Sequence, residues 1–235
     1  MIMNGVIEEK TNRIVEVIVS SCKPLELMLG KIIGVALVGF TQLVVWGALM
    51  MMVSAAFGFG GLFMGMSDAT ETINAMSASR GEPLPAELED MIRAVAGVKI
   101  GQLLFSFLLF GIGGFLLYGS LFAAFGSAAD QPSDASQFTT PIIMIEVFAL
   151  WAGMACIENP DGPLAMWCSF IPFTSTIVMM VRLPYGVPTW ELALSIALLF
   201  GTALTFLWLA GRIYRRGILM YGKKVSVWDI FRWIK

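Results

Sequence analysis

The sequence predicts an all-α fold: a polytopic membrane helix bundle. Three observations carry that prediction. The 235 residues are 57% hydrophobic and only 14% charged, where a soluble domain carries about a quarter. Mean hydropathy is +0.80. The charges sit in blocks at the ends and in connections, separated by five apolar runs. About four of these runs read as transmembrane helices, one as a re-entrant hairpin, and a charged leading segment as a cytoplasmic handle.

Residues 1–31 form the cytoplasmic segment. Glu8, Glu9, Lys10 and Arg13 crowd its start, and Glu16 lies among Ile14, Val15, Val17, Ile18 and Val19. Pro24 breaks the pattern, since proline lacks a backbone donor and clashes with the preceding turn. Leu25 to Lys31 restart it. One reading is a handle for a partner protein; the other is an amphipathic helix lying on lipid. MIMNGVIEEK lacks the apolar core of a signal peptide.

The membrane part covers residues 32–212. Ile32 to Phe57 is uncharged and long enough for a hydrocarbon core of about 30 Å. Residues 58–99 form an outer loop, with six acids against three bases from Asp68 to Lys99 and a short helix expected over Ala86 to Val98. Ile100 to Phe125 is the second span. Its Gly111, Gly113 and Gly114 let a neighbouring helix come close. Gly126 to Thr140 is a polar connection, and Pro141 to Ile157 is the third span. Glu158 to Pro163 is a turn cluster by residue type. Leu164 to Val181 is apolar but interrupted by Pro172, and Arg182 to Pro188 forms another turn. Leu192 to Ala210 is the last span, and residues 213–235 are a basic cytoplasmic tail. Trp190, Trp228 and Trp233 suit interfacial anchoring.

Lys10, Arg13, Lys23 and Lys31 lead the chain, and seven Lys and Arg from Arg212 onward close it. Both ends therefore prefer the cytoplasm, and the number of crossings is even. Leu164 to Val181 is the run that does not cross, because it is short, proline-interrupted and bracketed by turns. The competing reading makes it a span and puts the tail outside.

The chain has no histidine, which excludes histidine-based metal sites and Ser-His catalysis. Cys22, Cys156 and Cys168 have no zinc spacing. A Cys156–Cys168 disulfide is one option; two buried thiols are favoured. A net charge of −2 implies no nucleic-acid partner. No glycine-spaced phosphate loop precedes Gly30-Lys31, so no ATP site is expected in this chain. Glu146 is the one acid inside an apolar run. It is a candidate pathway residue, but the slightly favoured reading is a carboxylate within about two turns of the cytoplasmic end that snorkels outward.

Several stretches together carry a resemblance. They are Glu8-Glu9-Lys10 with Arg13, Glu16-Val17, Ser20-Ser21-Cys22-Lys23-Pro24 and Leu29-Gly30-Lys31, then Glu158-Asn159-Pro160, Ile171-Pro172-Phe173 and the Arg212-to-Lys224 tail. In this order they resemble the permeases of type-2 ABC exporters, and within them the NatB-like sodium-efflux group, as its C-terminal membrane portion. The resemblance implies an inner-membrane permease subunit that exports substrate, sodium among the candidates. It implies a separate ABC ATPase subunit that hydrolyses ATP, a second permease copy or homologue, and no cofactor bound directly. Glu8, Glu9, Lys10, Arg13, Glu16 and Pro24 would couple to the ATPase. Asn159, Pro160, Pro172 and Phe173 would form an outer gate. Such permeases carry a first span, an outer domain and a second span upstream of the coupling loop. A truncated or split, non-transporting membrane protein or assembly factor is the alternative.

Overall fold

The computed structural model describes residues 2–11, 24–56, 69–81, 83–89, 92, 100–129 and 132–217. Arg13, Glu16, Cys22, Trp228, Trp233 and the tail beyond Gly217 lie outside the described residues. All regular structure among the described residues is helical. In order, the helices are α1 (Ile2–Thr11), α2 (Pro24–Ala56), α3 (Ala69–Arg80), α4 (Ile100–Ala128), α5 (Pro132–Glu158), α6 (Pro163–Phe170), α7 (Pro172–Arg182) and α8 (Thr189–Gly217), with a 3-10 turn at Leu183–Tyr185. Four are long and apolar enough to cross a membrane: Glu26–Ala56, Gly101–Ala128, Gln137–Glu158 and Thr189–Arg215. Their large side chains, such as Leu37, Trp46, Phe105, Trp151 and Trp208, are largely exposed, as a hydrocarbon solvent requires. This is a multi-pass membrane protein.

The helices overrun the apolar runs that announce them. Pro24 is the first helical residue of α2, where its missing donor removes nothing. Leu25 to Lys31 are therefore the opening turns of the first span. The expected polar connection of residues 126–140 is mostly helix, because α4 runs to Ala128 and α5 starts at Pro132, with Pro141 inside it. Composition marks the part of a helix that meets lipid, whereas hydrogen bonding continues past it.

The chain forms two compact units. In the unit Val38–Ser106, helix α3 stands where the sequence suggested a polar loop. Gly81 ends it with φ of 72°, a conformation that glycine adopts without strain. Ile73, Leu84 and Ile92 then close a small apolar core with Met76 and Leu88.

The other unit holds residues 1–37 and 107–235. At one end, Ile2 and Val6 of α1 pack with Met28 and Ile32 of α2, Ala123, Ala124 and Ala128 of α4, and Ala210, Ile213 and Tyr214 of α8. The start of α2, the end of α4 and the end of α8 thus share one end of the bundle. At the other end lie Glu158, the α6–α7 pair and the start of α8. Helix α7 packs most extensively on α5, then on α6 and α8. Small residues set these approaches: a Cβ on Gly153 would meet Ile177 at 3.2 Å, and one on Gly114 would meet Thr176 at 3.0 Å. Gly113 faces Leu199 in the same way, while Gly111 has open space around it.

Candidate functional site

Helices α6 and α7 occupy the stretch expected to be re-entrant. With 8 and 11 residues they rise roughly 12 and 16 Å, too short for a core of about 30 Å. Ile171 separates them in an extended conformation, because Pro172 cannot continue the preceding helix. Thr174 answers the exposed end of α6, its hydroxyl donating to the Cys168 carbonyl at 2.6 Å. The tip lies deep. Phe173 stacks edge-on against Phe206, seventeen residues past Thr189 in α8 and so roughly 25 Å along it. The Phe173 carbonyl accepts the Tyr118 hydroxyl of α4 at 2.7 Å.

One side chain holds the mouth of this hairpin. Arg182, the last residue of α7, is 2% exposed. Its Nε donates to the Pro160 carbonyl at 2.7 Å and its Nη1 to the Ser169 hydroxyl at 2.9 Å. Its Nη2 lies 3.1 Å from the buried Glu191 carboxylate of α8 and 3.8 Å from Asp161. Ser195 adds a bond from α8 to the Ser169 carbonyl at 2.6 Å. Arg182 opens the stretch expected as a turn cluster. A single arginine at the edge of an apolar run has no periodic signature, so its role shows only in the fold. Among the expected gate residues, Asn159 and Pro160 stand at this mouth, while Pro172 and Phe173 stand at the tip. Cys156 and Cys168 are both free thiols, buried in one cluster with Ala152, Ala165 and Val178.

At the opposite end the leading charges divide. Glu8 is exposed. Lys10 is 2% exposed and turns inward, its Nζ donating to the carbonyls of Ser127 and Ala129 at 3.0 and 3.3 Å. These carbonyls end α4, where the helix dipole favours a cation. Glu9 pairs with Lys31 of α2 at 2.6 Å. Lys10 and Glu9 thus tie α1 to the bundle, and only Glu8 of the three is offered outward. Lys10→Met should lower unfolding stability by about 1–3 kcal/mol, the range for a charged donor lost from buried acceptors. Denaturant titration in mixed micelles would measure it.

Between the two ends lies a cleft of about 480 Å³. Asn4 of α1, Phe115, Tyr118 and Phe122 of α4, and Thr139 and Glu146 of α5 line it. Glu146 is half-buried and within electrostatic reach of Tyr118. It sits nine residues past Gln137, roughly 14 Å along that candidate span. The hairpin tip adjoins the cleft through Tyr118.

Residues 1–212 match the family described as ABC-2 family transporter protein. The chain belongs to the ABC-2 transporter family. It is similar to the uncharacterized protein YhaP of Bacillus subtilis, 29% identical over 94% of this chain and 48% of the relative. It is also similar to the uncharacterized protein MJ1024 of Methanocaldococcus jannaschii, 25% identical over 97% of this chain and 47% of that relative. The chain spans about half the length of these curated relatives. No solved structure matches it.

Proposed function

We propose that this ABC-2 chain is the membrane-permease portion of an ATP-driven exporter in the cytoplasmic membrane. A separate ABC ATPase subunit hydrolyses the ATP, a second permease copy or homologue completes the path, and no cofactor is bound directly. The observation that carries this reading is the two-ended build of the bundle. One end is an α1 wedge joined to three helix ends; the other is an arginine-locked hairpin whose tip reaches the cleft between them. Lys10, Lys31, Arg212 and Arg215 cluster toward the α1 end, which favours a cytoplasmic location for it.

Pro24 opens α2, which runs without a break to Ala56, so a push delivered at Pro24 enters the span. Glu8 is the exposed charge of α1 that can meet the ATPase, and the resemblance adds Arg13 and Glu16 to the same coupling segment. A shallow hollow of about 390 Å³ lined by Glu26, Leu27, Gly30 and Lys31 adjoins the Glu9–Lys31 pair and offers a seat for a partner side chain. The hairpin serves as the outer gate, with Asn159 and Pro160 at its hinge and Pro172 and Phe173 at its tip. Export as the direction of transport follows the resemblance to type-2 ABC exporters.

The test is co-purification with the ATPase subunit followed by charge reversal at Glu8, Arg13 and Glu16. The expected result is association by the native chain and a fall of fivefold or more in permease-stimulated ATP hydrolysis on reversal, on the order of the loss of a few interfacial charge pairs. Absence of an associated ATPase, or unchanged stimulation, overturns the reading.

A further inference from the structure

We propose that the cleft beneath the hairpin tip binds an organic monocation with an apolar body, its charge on Glu146. This rests on the reading of the chain as a permease and names the class of its cargo.

The lining sorts into two kinds. Phe115, Tyr118 and Phe122 lie on one face of α4 at helical spacing and present rings to the cleft, with Ile2, Met3 and Val35 adding apolar walls. Gly114 and Gly119 also line the cleft, and their lack of side chains lets Thr176, Ile2 and Ile32 pack close against α4. Glu146 supplies one negative charge at mid-span. Aromatic faces around a single carboxylate attract a cation that keeps little hydration, such as a quaternary ammonium or phosphonium. A carboxylate at membrane depth faces a partner or a cavity, and here it faces a cavity.

A bare alkali ion fits poorly. It needs a shell of oxygens to replace its water, as in carbonyl-lined filters. The cleft walls contributed by α4 and α5 are helical, so their carbonyls are engaged in the helix ladder apart from that of Gln137, whose donor Pro141 removes. The polar side chains are dispersed: Thr139 and Glu146 are seven residues apart on α5, roughly 10 Å along its axis. The Tyr118 proton points to the Phe173 carbonyl, which leaves its oxygen for the cleft. A volume of about 480 Å³ lies within the range of small-molecule sites, which runs from about 300 to 1,000 Å³. Tyr118 stands between the cleft and the hairpin tip, one side of it lining the hollow and its hydroxyl bonded to Phe173.

The probe is radiolabelled tetraphenylphosphonium, measured by equilibrium dialysis against the full chain in lipid nanodiscs, with empty nanodiscs subtracted. Saturable binding is expected. Glu146→Gln should weaken it on the order of tenfold, the worth of about one charge interaction in a half-buried site. Phe115→Ala, which keeps the charge and removes one ring, should weaken it about threefold to tenfold. Sodium and potassium chloride at equal ionic strength should compete equally. Absence of saturable binding, or unchanged affinity in Glu146→Gln with native helicity and elution volume, overturns the proposal. Displacement selective for sodium also overturns it and marks the cleft as an alkali site. The ATPase co-purification is independent: a chain that recruits the ATPase but binds no probe sinks only this inference, and a chain that binds the probe but recruits no ATPase sinks only the permease reading.

Discussion

Arg182→Met should destabilise the bundle by about 3–5 kcal/mol, the usual loss when one partner of a buried ion pair is removed. Glu191 is 5% exposed and would be left as a buried charge without its main partner. The Pro160 carbonyl and the Ser169 hydroxyl would lose their donors at the same stroke. The damage should concentrate at the hairpin. Cys168, 3% exposed in the native chain, should become reactive toward maleimide well below the midpoint of global unfolding. The double variant Arg182→Met with Glu191→Leu should recover much of the loss, because a well-packed apolar pair often replaces a buried ion pair without penalty. Thermal unfolding in detergent, with maleimide labelling in parallel, reads both effects. Equal stability of the single variant and the native chain would show that the pair does not hold the mouth closed.

Gly126→Val should have the second largest effect. A Cβ at Gly126 would lie 3.1 Å from the Met3 Cα, Cγ and carbonyl oxygen together. Two of these atoms are backbone, so no rotamer change relieves the contact and α1 must lift from α4. Overpacking of this kind costs about 1–3 kcal/mol. Lifting α1 also withdraws Lys10 from the Ser127 and Ala129 carbonyls. Gly111→Ala is the matched control: nothing lies within 4 Å of its added Cβ, and alanine is the better helix former by about 1 kcal/mol. Denaturant midpoints for the two variants should therefore move in opposite directions.

The long spans were legible because lipid imposes a simple demand: twenty or so residues without charge. The break before Pro172 was legible for the same kind of reason, since a proline's missing donor acts locally. Helix α1 carried a signal that went unread. Its buried residues Ile2, Met3, Val6, Ile7 and Lys10 recur with the spacing of one helix face. Lysine at the last of these positions hid the pattern, because its burial depends on carbonyls more than a hundred residues away. Arg182 was illegible on similar grounds, as its partners come from the α5–α6 turn, α6 and α8. Helix α3 looked like a loop because its composition is polar, and only Ile73 and Met76 anchor it. Glu146 stood out as the one acid of an apolar run, whereas the helical turns before Pro141 that carry it are polar and gave no such signal.

The hairpin is fastened at its mouth by Arg182 and touches the interior at Phe173 mainly through rings and one hydrogen bond. Were the tip to move while the root stays anchored, α7 would have to part from α5, the helix on which it packs most. Phe173 would then leave Tyr118 and Phe206 together, so one displacement breaks the hydrogen bond and both ring contacts at once.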